Sequence, residues 1–399
     1  MAKIIVLGGA GAMGRITVQD LARTARDTEI IIADLDLARA DELKNSIKEG
    51  HVTTLKVDIK DEESLVTALK GKDVVVNATP YYFNRAVMKA ALKADADYLD
   101  LGGLYHETIK QLDYHKDFAE KGRLAILGMG STPGTTNVMA AAAARDLESI
   151  EDVIIYCAGE ELKTPDDSHP FFPPYMLDTI LDEYTMDAII FKDGKIDTIA
   201  PISVDETVDF GELVGTQSVI HTIHSELATI PDTFKSKGIK NAAFKLALGQ
   251  EFHDKVKFLV ELGFGSKEPI KTSEGTFHPR KILTAMIEQF PKPEGASEDC
   301  EILRVVVTGK SKGENKTITM EALAKTDTRP GGFGGADMNT GVPPSIVAQM
   351  IVDKMTADYK GVLPPEVCVN PDHFFKELAK RNIIVSRDKK PVCDKVSVS

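Results

Sequence analysis

The chain has 399 residues and a formal net charge of −13, from 48 Lys and Arg against 61 Asp and Glu. This length allows two domains with sizeable cores, and the acidic balance argues against nucleic acids and anionic membrane surfaces as partners, because both attract clusters of Lys and Arg. No apolar run approaches the roughly 18 residues of a membrane span, and a first strand that starts at Lys3 leaves no room for a signal peptide, so we expect a cytoplasmic protein.

The cysteines and histidines predict neither disulfides nor a metal site. The four cysteines lie far apart and form no C-x-x-C pair: Cys157, Cys300, Cys368 and Cys393. Reduced thiols are the plain interpretation of this spacing. His221 and His224 lie three residues apart, but no carboxylate stands at a spacing that suggests zinc.

The chain begins with a short apolar strand at residues 3–7, which runs directly into a glycine-rich turn at residues 8–14. From Gly9 this turn has the pattern G-x-G-x-x-G, and a helical pattern follows it. Gly9 permits a tight turn, Gly11 lets backbone amides approach a pyrophosphate, and Gly14 lets helix and strand pack closely. The helix N-terminus offers free N–H groups to phosphate. We therefore predict that a dinucleotide contacts Gly9, Ala10, Gly11, Ala12, Met13 and Gly14.

A second apolar strand, residues 29–33, ends in Asp34, twenty residues beyond Gly14. An acidic residue at this distance is expected to bind the adenosine 2′-hydroxyl and to repel a 2′-phosphate. The prediction is therefore NAD, with NADP less favoured. The alternative is a surface Asp that caps the helix starting near Asp36.

Strand and helix patterns alternate up to residue 127. Further strands are predicted at residues 52–57, 73–77, 98–101 and 124–127, separated by helices at 37–48, 62–69, 84–94 and 105–121. Strands joined by helices of this length imply right-handed crossovers. The pattern predicts an α/β fold of the Rossmann type, with a doubly wound parallel sheet.

The carboxyl ends of these strands are the predicted ligand edge, because ligands of such sheets bind there. Asp58 follows the third strand and is expected near the adenine, and the turn at residues 77–80 is expected near the nicotinamide ribose. The predicted cofactor contacts at these ends are Asp58, Asn77, Ala78, Thr79, Pro80, Leu101 and Gly102. Simple turn formation is the alternative explanation for such residue types.

The pattern changes near residue 150, where the apolar runs become shorter. Residues 153–157, 255–262 and 302–307 have patterns typical of strands in an open sheet. A glycine-rich loop at residues 331–335 then precedes a helical pattern at 345–354. We predict a Rossmann domain at residues 1–130 plus about 335–399, and a second α+β domain with a mixed sheet at residues 131–334, which carries the substrate and the dimer contact.

Several segments together resemble the saccharopine dehydrogenase-like family, and within it the L-lysine 6-dehydrogenases. The segments that carry the resemblance are residues 6–14, 73–78, 100–103, 133–134, 156–159, 360–365 and 380–386. The resemblance implies an NAD(P)-dependent dehydrogenase acting on CH–NH or CH–NH2 donors, a mixed-sheet catalytic domain and a homodimer. The implied reaction is oxidative deamination of L-lysine or a related amine. Alternatives are a saccharopine or carboxynorspermidine dehydrogenase that reduces an imine, or a non-catalytic NAD-sensing protein.

Three stretches depart from the pattern of the lysine 6-dehydrogenases: residues 160–161, 215–226 and 337–341. Because the resemblance places these stretches at the substrate pocket, the substrate is the part of the prediction that they affect most. We expect a small amino acid or polyamine as the substrate, with neither nucleic acid nor membrane as a partner.

Amine oxidation needs a base near neutral pH, and the candidates are few. Asp100 follows the fifth strand, although a structural Asp that binds loop amides is an equal alternative. His224 has a suitable pKa, although a pocket liner or core histidine is the alternative. Tyr81 follows the turn at the nicotinamide. The predicted catalytic residues are thus Asp100, His224 and Tyr81.

Five further residues are predicted to line the substrate pocket: Tyr82, Thr132, Glu160, His221 and Thr340. Thr132 and Thr340 precede helical patterns, where a helix N-terminus binds a carboxylate, or where a threonine simply caps the helix. Glu160 would pair with an ammonium group, unless it forms a solvated acidic pair with Glu161. Arg280 and Arg329 are weaker candidates for holding the carboxylate.

Overall fold

The computed structural model describes residues 1–163, 171, 173–290, 298–329 and 331–393. Its strands are β1 Ala2–Leu7, β2 Thr28–Asp34, β3 His51–Lys56, β4 Val74–Asn77, β5 Asp97–Asp100, β6 Leu124–Ile126, β7 Ser149–Lys163, β8 Ala188–Lys192, β9 Lys195–Ile199, β10 Val204–Asp209, β11 Thr216–His221, β12 Asn241–Ala247, β13 Ile270–Thr272, β14 Gly275–Phe277, β15 Glu298–Ser311, β16 Glu314–Lys325, β17 Gly361–Leu363, β18 Ile384–Arg387 and β19 Lys390–Pro391. Its α-helices are α1 Gly14–Thr24, α2 Leu37–Ser46, α3 Glu62–Leu69, α4 Asn84–Lys93, α5 Tyr105–Leu112, α6 His115–Glu120, α7 Thr135–Ala144, α8 Leu177–Thr185, α9 Ile230–Thr233, α10 Gln250–Glu261, α11 Pro279–Ile287, α12 Gly335–Val352, α13 Pro365–Cys368 and α14 Pro371–Lys380.

The first sheet is parallel throughout, with the strand order β17-β6-β5-β4-β1-β2-β3. The chain winds outward from β1 in both directions, so the switch point lies between β1 and β4, at the glycine-rich turn. The central strands are fully buried, as expected when helices cover both faces. This architecture confirms the predicted Rossmann-type sheet.

The second sheet is mixed and has ten strands. Its main path is β10-β11-β12-β7-β15-β16-β18-β19, and β8 joins it by pairing with β12 and β9. The β12–β7 pair is parallel, whereas the long β7–β15 and β15–β16 pairs are antiparallel. The sheet confirms the predicted α+β part of the fold.

The two faces of the mixed sheet bury different side chains. One face carries Cys157, Leu303 and Val305, packs against α7 and joins the main core. The opposite face carries Tyr156 and Phe210 in a separate apolar cluster. Because side chains alternate along a strand, each residue of β7 and β15 belongs to one face or the other.

Two elements differ from the sequence expectation. Residues 255–261 lie in helix α10 and Leu262 caps it, rather than forming a strand, because their apolar residues recur at helical spacing, with Val256 buried. Helix α12 starts at Gly335, ten residues earlier than predicted. The carboxylate of Asp299 accepts hydrogen bonds from the backbone N–H of Gly335 (2.7 Å) and Ala336 (3.1 Å), and so satisfies the free N–H groups of this helix start.

The C-terminal part of the chain serves both sheets. Strand β17 pairs with β6 of the parallel sheet, whereas β18 pairs with β16 of the mixed sheet. The expectation that all of residues 335–399 return to the first domain is therefore wrong for β18 and β19. We propose a boundary that assigns α12 and β17 to the cofactor domain and the last two strands to the second domain. None of the helices described is long and apolar enough to cross a membrane.

Candidate functional site

The turn between β1 and α1 has no room for side chains. A Cβ atom on Gly14 would lie 2.1 Å from the Gly8 carbonyl oxygen, and one on Gly9 would lie 2.8 Å from that of Val6. Gly8 itself has a φ of +67°, which favours glycine. The backbone of this turn is therefore open to close approach by a ligand, which suits the pyrophosphate of a dinucleotide.

Two backbone hydrogen bonds hold the Asp34 carboxylate beside this turn. Its Oδ2 accepts a hydrogen bond from the Ala10 N–H and its Oδ1 accepts one from the Asp36 N–H, both at 3.1 Å. Helix α2 is capped by Asp36 instead, which accepts from the Arg39 N–H at 3.2 Å. The capping alternative thus belongs to Asp36, and the position of Asp34 supports its predicted contact with the ribose.

The turn after β4 is shaped by a buried amide. Asn77 donates to Asn84 Oδ1 (2.9 Å), and its own Oδ1 accepts from the Thr79 hydroxyl (2.6 Å). The following three residues of this turn, Ala78, Thr79 and Pro80, are half-buried. Asn77 therefore holds the turn from behind, and residues 78–80 remain as the part of the turn that faces the cleft. Asp58 is exposed, and its side chain accepts a hydrogen bond from the Lys60 N–H at 2.9 Å.

Asp100 is fully buried and accepts four hydrogen bonds. The donors are Gln111 Nε2 (2.7 Å), the Gly128 N–H (2.7 Å), the Tyr98 hydroxyl (2.9 Å) and the Gly102 N–H (2.9 Å). Burial raises the pKa of this carboxyl, and the four hydrogen bonds oppose that rise. Since a carboxylate has about four lone-pair positions, none remains for a substrate proton. Asp100 positions the two strand ends, which argues against the predicted role of general base.

Tyr81 joins the cofactor sheet to the second domain. Its hydroxyl donates to Asp182 Oδ2 at 2.8 Å, and the other oxygen of Asp182 binds Arg280 (2.7 Å) and Lys267 (2.8 Å). Burial, and then the carboxylate of Asp182, raise the pKa of Tyr81 far above its usual value. The phenol is therefore a fixed donor in the cleft wall, which argues against proton transfer by Tyr81. Tyr82, beside it, is 54% exposed.

His224 lies against a buried carboxylate. Its Nδ1 pairs with Oε2 of Glu226, and its ring stacks on Phe244 with centroids 3.8 Å apart and an interplanar angle of 16°. Burial alone would lower the pKa of His224, but the carboxylates of Glu226 and Glu183 outweigh it and raise the pKa. This pair has the arrangement of a positioned acid–base group.

Two further carboxyls lie near this pair, the buried Glu183 beside His224 and the partly buried Glu301, which is linked to it through Cys157. Glu183 accepts from the Tyr175 hydroxyl, and burial raises its pKa to about 7. Glu301 accepts from Asn339 Nδ2 (2.9 Å) and from the Cys157 thiol (3.5 Å), and burial likewise raises its pKa to about 7. The Cys157 thiol feels the charges of all three glutamates. We call the group of Glu183, His224, Glu226 and Glu301 the acidic pocket.

The acidic pocket adjoins the cofactor edge through two contacts. Thr136, just after the turn that follows β6, donates to Glu226 Oε1 at 3.3 Å. Thr340 of α12 lies 3.2 Å from the Ser131 hydroxyl, oxygen to oxygen, in the same turn. Thr132 is half-buried in this turn. The end of β6, on the ligand edge of the parallel sheet, is therefore the neighbour of the acidic pocket.

Three predicted substrate residues need correction. Thr340 lies inside helix α12 and not before it, so it offers a hydroxyl rather than a helix start. Glu160 is exposed and accepts from Gln217 at 3.0 Å, on the face of β7 opposite Cys157. His221 pairs in register with Lys245, whose ammonium lies near Tyr156 on that same opposite face. Glu160 and His221 therefore lie outside the acidic pocket.

Sequence reasoning missed Glu183, Glu226 and Glu301. For Glu301 a signal was present, because it shares its strand face with Leu303, Val305 and Val307, where an acidic residue is out of place. Arg280, a candidate for the substrate carboxylate, is bound to Asp182. Among the described residues, no three of His, Cys, Asp and Glu are grouped as metal ligands.

The comparisons with known proteins agree with this geometry. Residues 4–126 match the saccharopine dehydrogenase NADP binding domain, and residues 130–384 match the saccharopine dehydrogenase C-terminal domain. The chain is 23% identical over 399 residues to carboxyaminopropylagmatine dehydrogenase of Synechocystis sp., with 96% of each chain covered. It is 25% identical over 387 residues to carboxynorspermidine synthase of Vibrio alginolyticus, covering 92% of this chain and 88% of that protein.

Two solved structures share the fold. Apo saccharopine dehydrogenase (L-Glu forming) from Saccharomyces cerevisiae aligns with a TM-score of 0.74 and 18% identity, over 98% of this chain and 100% of that chain. Homospermidine synthase from Legionella pneumophila, in complex with NAD, aligns with a TM-score of 0.67 and 11% identity, over 94% and 88%. The family models confirm the resemblance inferred from the sequence, while none of these four relatives is an L-lysine 6-dehydrogenase.

Proposed function

The chain belongs to the saccharopine dehydrogenase family, and on this premise we propose that it acts on the secondary C–N bond between an amino acid and a cationic amine. It is an oxidoreductase of amine substrates with an NAD(P)-binding domain. The observation that carries the finer proposal is the His224–Glu226 pair, grouped with the buried Glu183 and the partly buried Glu301. Deamination of free L-lysine, expected from the sequence, has no such support.

His224 is the residue that we assign to proton transfer. Its Nδ1 is held by Glu226, so Nε2 is the nitrogen that remains for the substrate. In the oxidative direction Nε2 takes the amine proton, because the nitrogen must be neutral before its neighbouring C–H bond is broken. In the reductive direction Nε2 gives the proton back, and the carboxylate of Glu226 stabilises the imidazolium. The nicotinamide, when bound, supplies the hydride exchange with the carbon.

The charge of the acidic pocket supports a cationic substrate. Among the described residues, no Lys or Arg forms an ion pair with Glu183 or Glu301. A buried carboxylate is costly without a positive partner. An amine substrate that carries a second positive charge provides that partner, and this fits the polyamine names of two of the relatives.

For the cofactor we propose NAD in preference to NADP. The carboxylate of Asp34 stands beside the glycine-rich turn, where it suits a ribose hydroxyl and opposes a 2′-phosphate. The proposed cofactor contacts are those predicted from the sequence, with Asn77 acting from behind the turn. We also propose a cytoplasmic homodimer, which the family resemblance supports; light scattering on the purified protein tests the dimer.

The experiment that tests the function measures reduced nicotinamide formed from a panel of amines. The panel contains saccharopine, carboxynorspermidine, carboxyaminopropylagmatine and L-lysine, each with NAD or NADP. We expect one of the two polyamine derivatives to exceed L-lysine at least about tenfold in kcat/KM, the discrimination of a single charged contact. Faster turnover of L-lysine than of both polyamine derivatives would instead support oxidative deamination of L-lysine. Tight NADH binding without any turnover would favour the NAD-sensing alternative.

A further inference from the structure

Among the residues that the structure describes, no Lys or Arg forms an ion pair with the Glu301 carboxylate. It lies on β15, on the strand face that carries Leu303 and Val305. Its two oxygens meet an amide nitrogen of Asn339 at 2.9 Å and the thiol of Cys157 at 3.5 Å. Burial, followed by the charge of Glu301, raises the pKa of that thiol, so it stays neutral. Both neighbours of the carboxylate are therefore uncharged.

Asn339 supplies a second acceptor at the same place. Its side chain is buried, with the residue 1% exposed, and its amide nitrogen is turned to Glu301. Its Oδ1 accepts a hydrogen bond from no residue that the structure describes. A buried amide oxygen in a folded protein ordinarily has a donor. The amide oxygen of Asn339 is thus an acceptor near the Glu301 carboxylate that receives no hydrogen bond from the described residues.

These two acceptors lie next to the reaction centre. Asn339 precedes Thr340, whose hydroxyl lies 3.2 Å from the Ser131 hydroxyl oxygen at the cofactor edge. On the other side, the thiol of Cys157 lies close enough to Glu226 and Glu183 for both charges to act on it. Cys157 therefore lies between Glu301 and the group of Glu183 and Glu226 that surrounds the proposed proton-transfer residue.

We propose that Glu301 and Asn339 form a subsite for a distal cationic nitrogen of the substrate, an alkylammonium or guanidinium group with at least two N–H donors. This inference rests on the proposed function and adds the residues that select a diamine over a monoamine. A carboxylate and an amide oxygen accept two N–H groups of one cation, because an ammonium group has three donors and a guanidinium five. A monoamine leaves both acceptors unfilled.

The competing explanation is purely structural, because the Asn339–Glu301 hydrogen bond also joins α12 to β15. In that case, removal of the charge would affect all amines equally. Recognition of a distal cation instead predicts an effect confined to ligands that carry one. The ratio of two dissociation constants separates the two explanations, since a general loss of fold cancels from it.

The test is calorimetric binding of amines to the NADH-saturated protein. 1,3-Diaminopropane, putrescine and agmatine are compared with propylamine and butylamine. In the wild type we expect the cationic ligands to bind about 10–100-fold more tightly than the monoamines, the range for a hydrogen-bonded charge. Comparison of the dissociation constants of putrescine and agmatine shows whether the subsite prefers an ammonium or a guanidinium group. Equal binding of diamines and monoamines would overturn the subsite.

Two variants and a control complete the experiment. Glu301→Gln keeps the shape and removes the charge, and we expect the diamine preference to fall below about threefold with NADH affinity unchanged. Asn339→Leu removes the amide oxygen and is expected to reduce the preference by a smaller factor. Glu298→Gln, on the same strand and 3.9 Å from Lys163, is the matched control and keeps the full preference. A Glu301→Gln protein that keeps the wild-type preference would contradict the proposal.

The pH dependence gives an independent readout. Burial raises the pKa of Glu301 to about 7, opposed by Asn339 and Cys157 and assisted by the charges of Asp299 and Asp337. The diamine preference therefore grows as pH rises through 7 in the wild type and stays flat in Glu301→Gln. Because binding is measured without turnover, a diamine preference without any dehydrogenase activity would contradict the proposed function and leave the subsite standing. Turnover without a preference for diamines would contradict the subsite and leave the proposed function standing.

Discussion

The cofactor edge and the acidic pocket treat buried carboxylates in opposite ways. At the cofactor edge, Asp100 accepts four hydrogen bonds and holds two strand ends together. In the acidic pocket, Glu301 has one amide and one thiol, and Glu183 has a phenol. A saturated carboxylate has its partners within the fold and serves as scaffold. A carboxylate with few partners is costly to the fold, and it is the one left to meet a ligand.

The same contrast separates backbone recognition from side-chain recognition. The glycine-rich turn is proposed to bind its ligand through N–H groups, and a side chain at Gly14 would collide with the backbone, as the distance of 2.1 Å from its Cβ position to the Gly8 oxygen shows. The acidic pocket instead depends on charged groups from β15, α8 and the segment after β11. Substitutions in the acidic pocket are therefore expected to change amine binding and turnover while leaving the affinity for the cofactor nearly unchanged.

Replacement of His224 by Ala is expected to have the largest effect. It removes the group that moves the substrate proton, so kcat should fall about 10²–10⁴-fold, while the dissociation constant for NADH stays within about threefold. Steady-state kinetics and NADH fluorescence measure the two quantities. His106→Ala, at an exposed position of α5, is the control. A fall in kcat below tenfold would exclude His224 as the proton-transfer residue.

Replacement of Asp100 by Asn tests whether this carboxylate has a structural role at the cofactor edge. The amide nitrogen of Asn cannot accept hydrogen bonds, so buried N–H donors lose their acceptor and the free energy of unfolding should drop by about 2–4 kcal/mol. The folded fraction should keep kcat within about fivefold. Urea unfolding and active-site-normalised kinetics measure both, with the exposed Asp58→Asn as control. Unchanged stability with a hundredfold loss of kcat would make Asp100 the base after all.

The parallel sheet could be predicted from the sequence because its information is local. The glycine-rich turn, the Asp34 position and the alternating strands are read within windows of a few residues, and the structure has them where expected. The acidic pocket could not be predicted in the same way, because Glu183, Glu226 and Glu301 are far apart along the chain. Only the fold brings them together, and an isolated Glu in a sequence most often indicates a solvated surface.

The errors have related causes. Glu160 and Cys157 lie on opposite faces of β7. Side chains alternate between the two faces of a strand, so a shift of one residue moves a side chain to the other face. The stretch 215–226, in which His221 is predicted to line the substrate pocket, divides between the strand β11 and the segment after it, so His221 lies on the mixed-sheet face away from the acidic pocket. For α12 the helix start depends on Asp299, 36 residues earlier than Gly335. No pattern within the helix itself indicates that partner.

Replacement of Asp34 by Ser sharpens the cofactor half of the comparison. It removes the negative charge that opposes a 2′-phosphate, so the ratio of kcat/KM for NADP to that for NAD should rise about 10–100-fold. Asp58→Asn, at the end of the next strand, is expected to change the ratio less than twofold. Kinetics with both cofactors measure it, at one fixed amine concentration. A ratio that stays at the wild-type value would show that Asp34 does not contact the ribose.

Replacement of Glu183 by Gln should make the protein more stable, which no change at the cofactor edge is expected to do. The folded pKa of Glu183 is about 7 against an ordinary value of 4.5, so the folded state holds this proton more tightly than the unfolded state. Stability is therefore lost as pH rises from about 4.5 through 7. The neutral amide avoids that loss, which is about 3 kcal/mol at pH 8 and below about 1 kcal/mol at pH 5.

Urea unfolding of wild type and Glu183→Gln at the two pH values measures this difference, and the exposed Glu160→Gln is expected to show none. A gain that is the same at both pH values would mean that the ionisation of Glu183 carries no cost in the folded state. Since a gain in stability at pH 8 combined with weaker amine binding is the signature of a charge kept for its ligand, the variant also reports whether the acidic pocket differs in kind from the Asp100 scaffold.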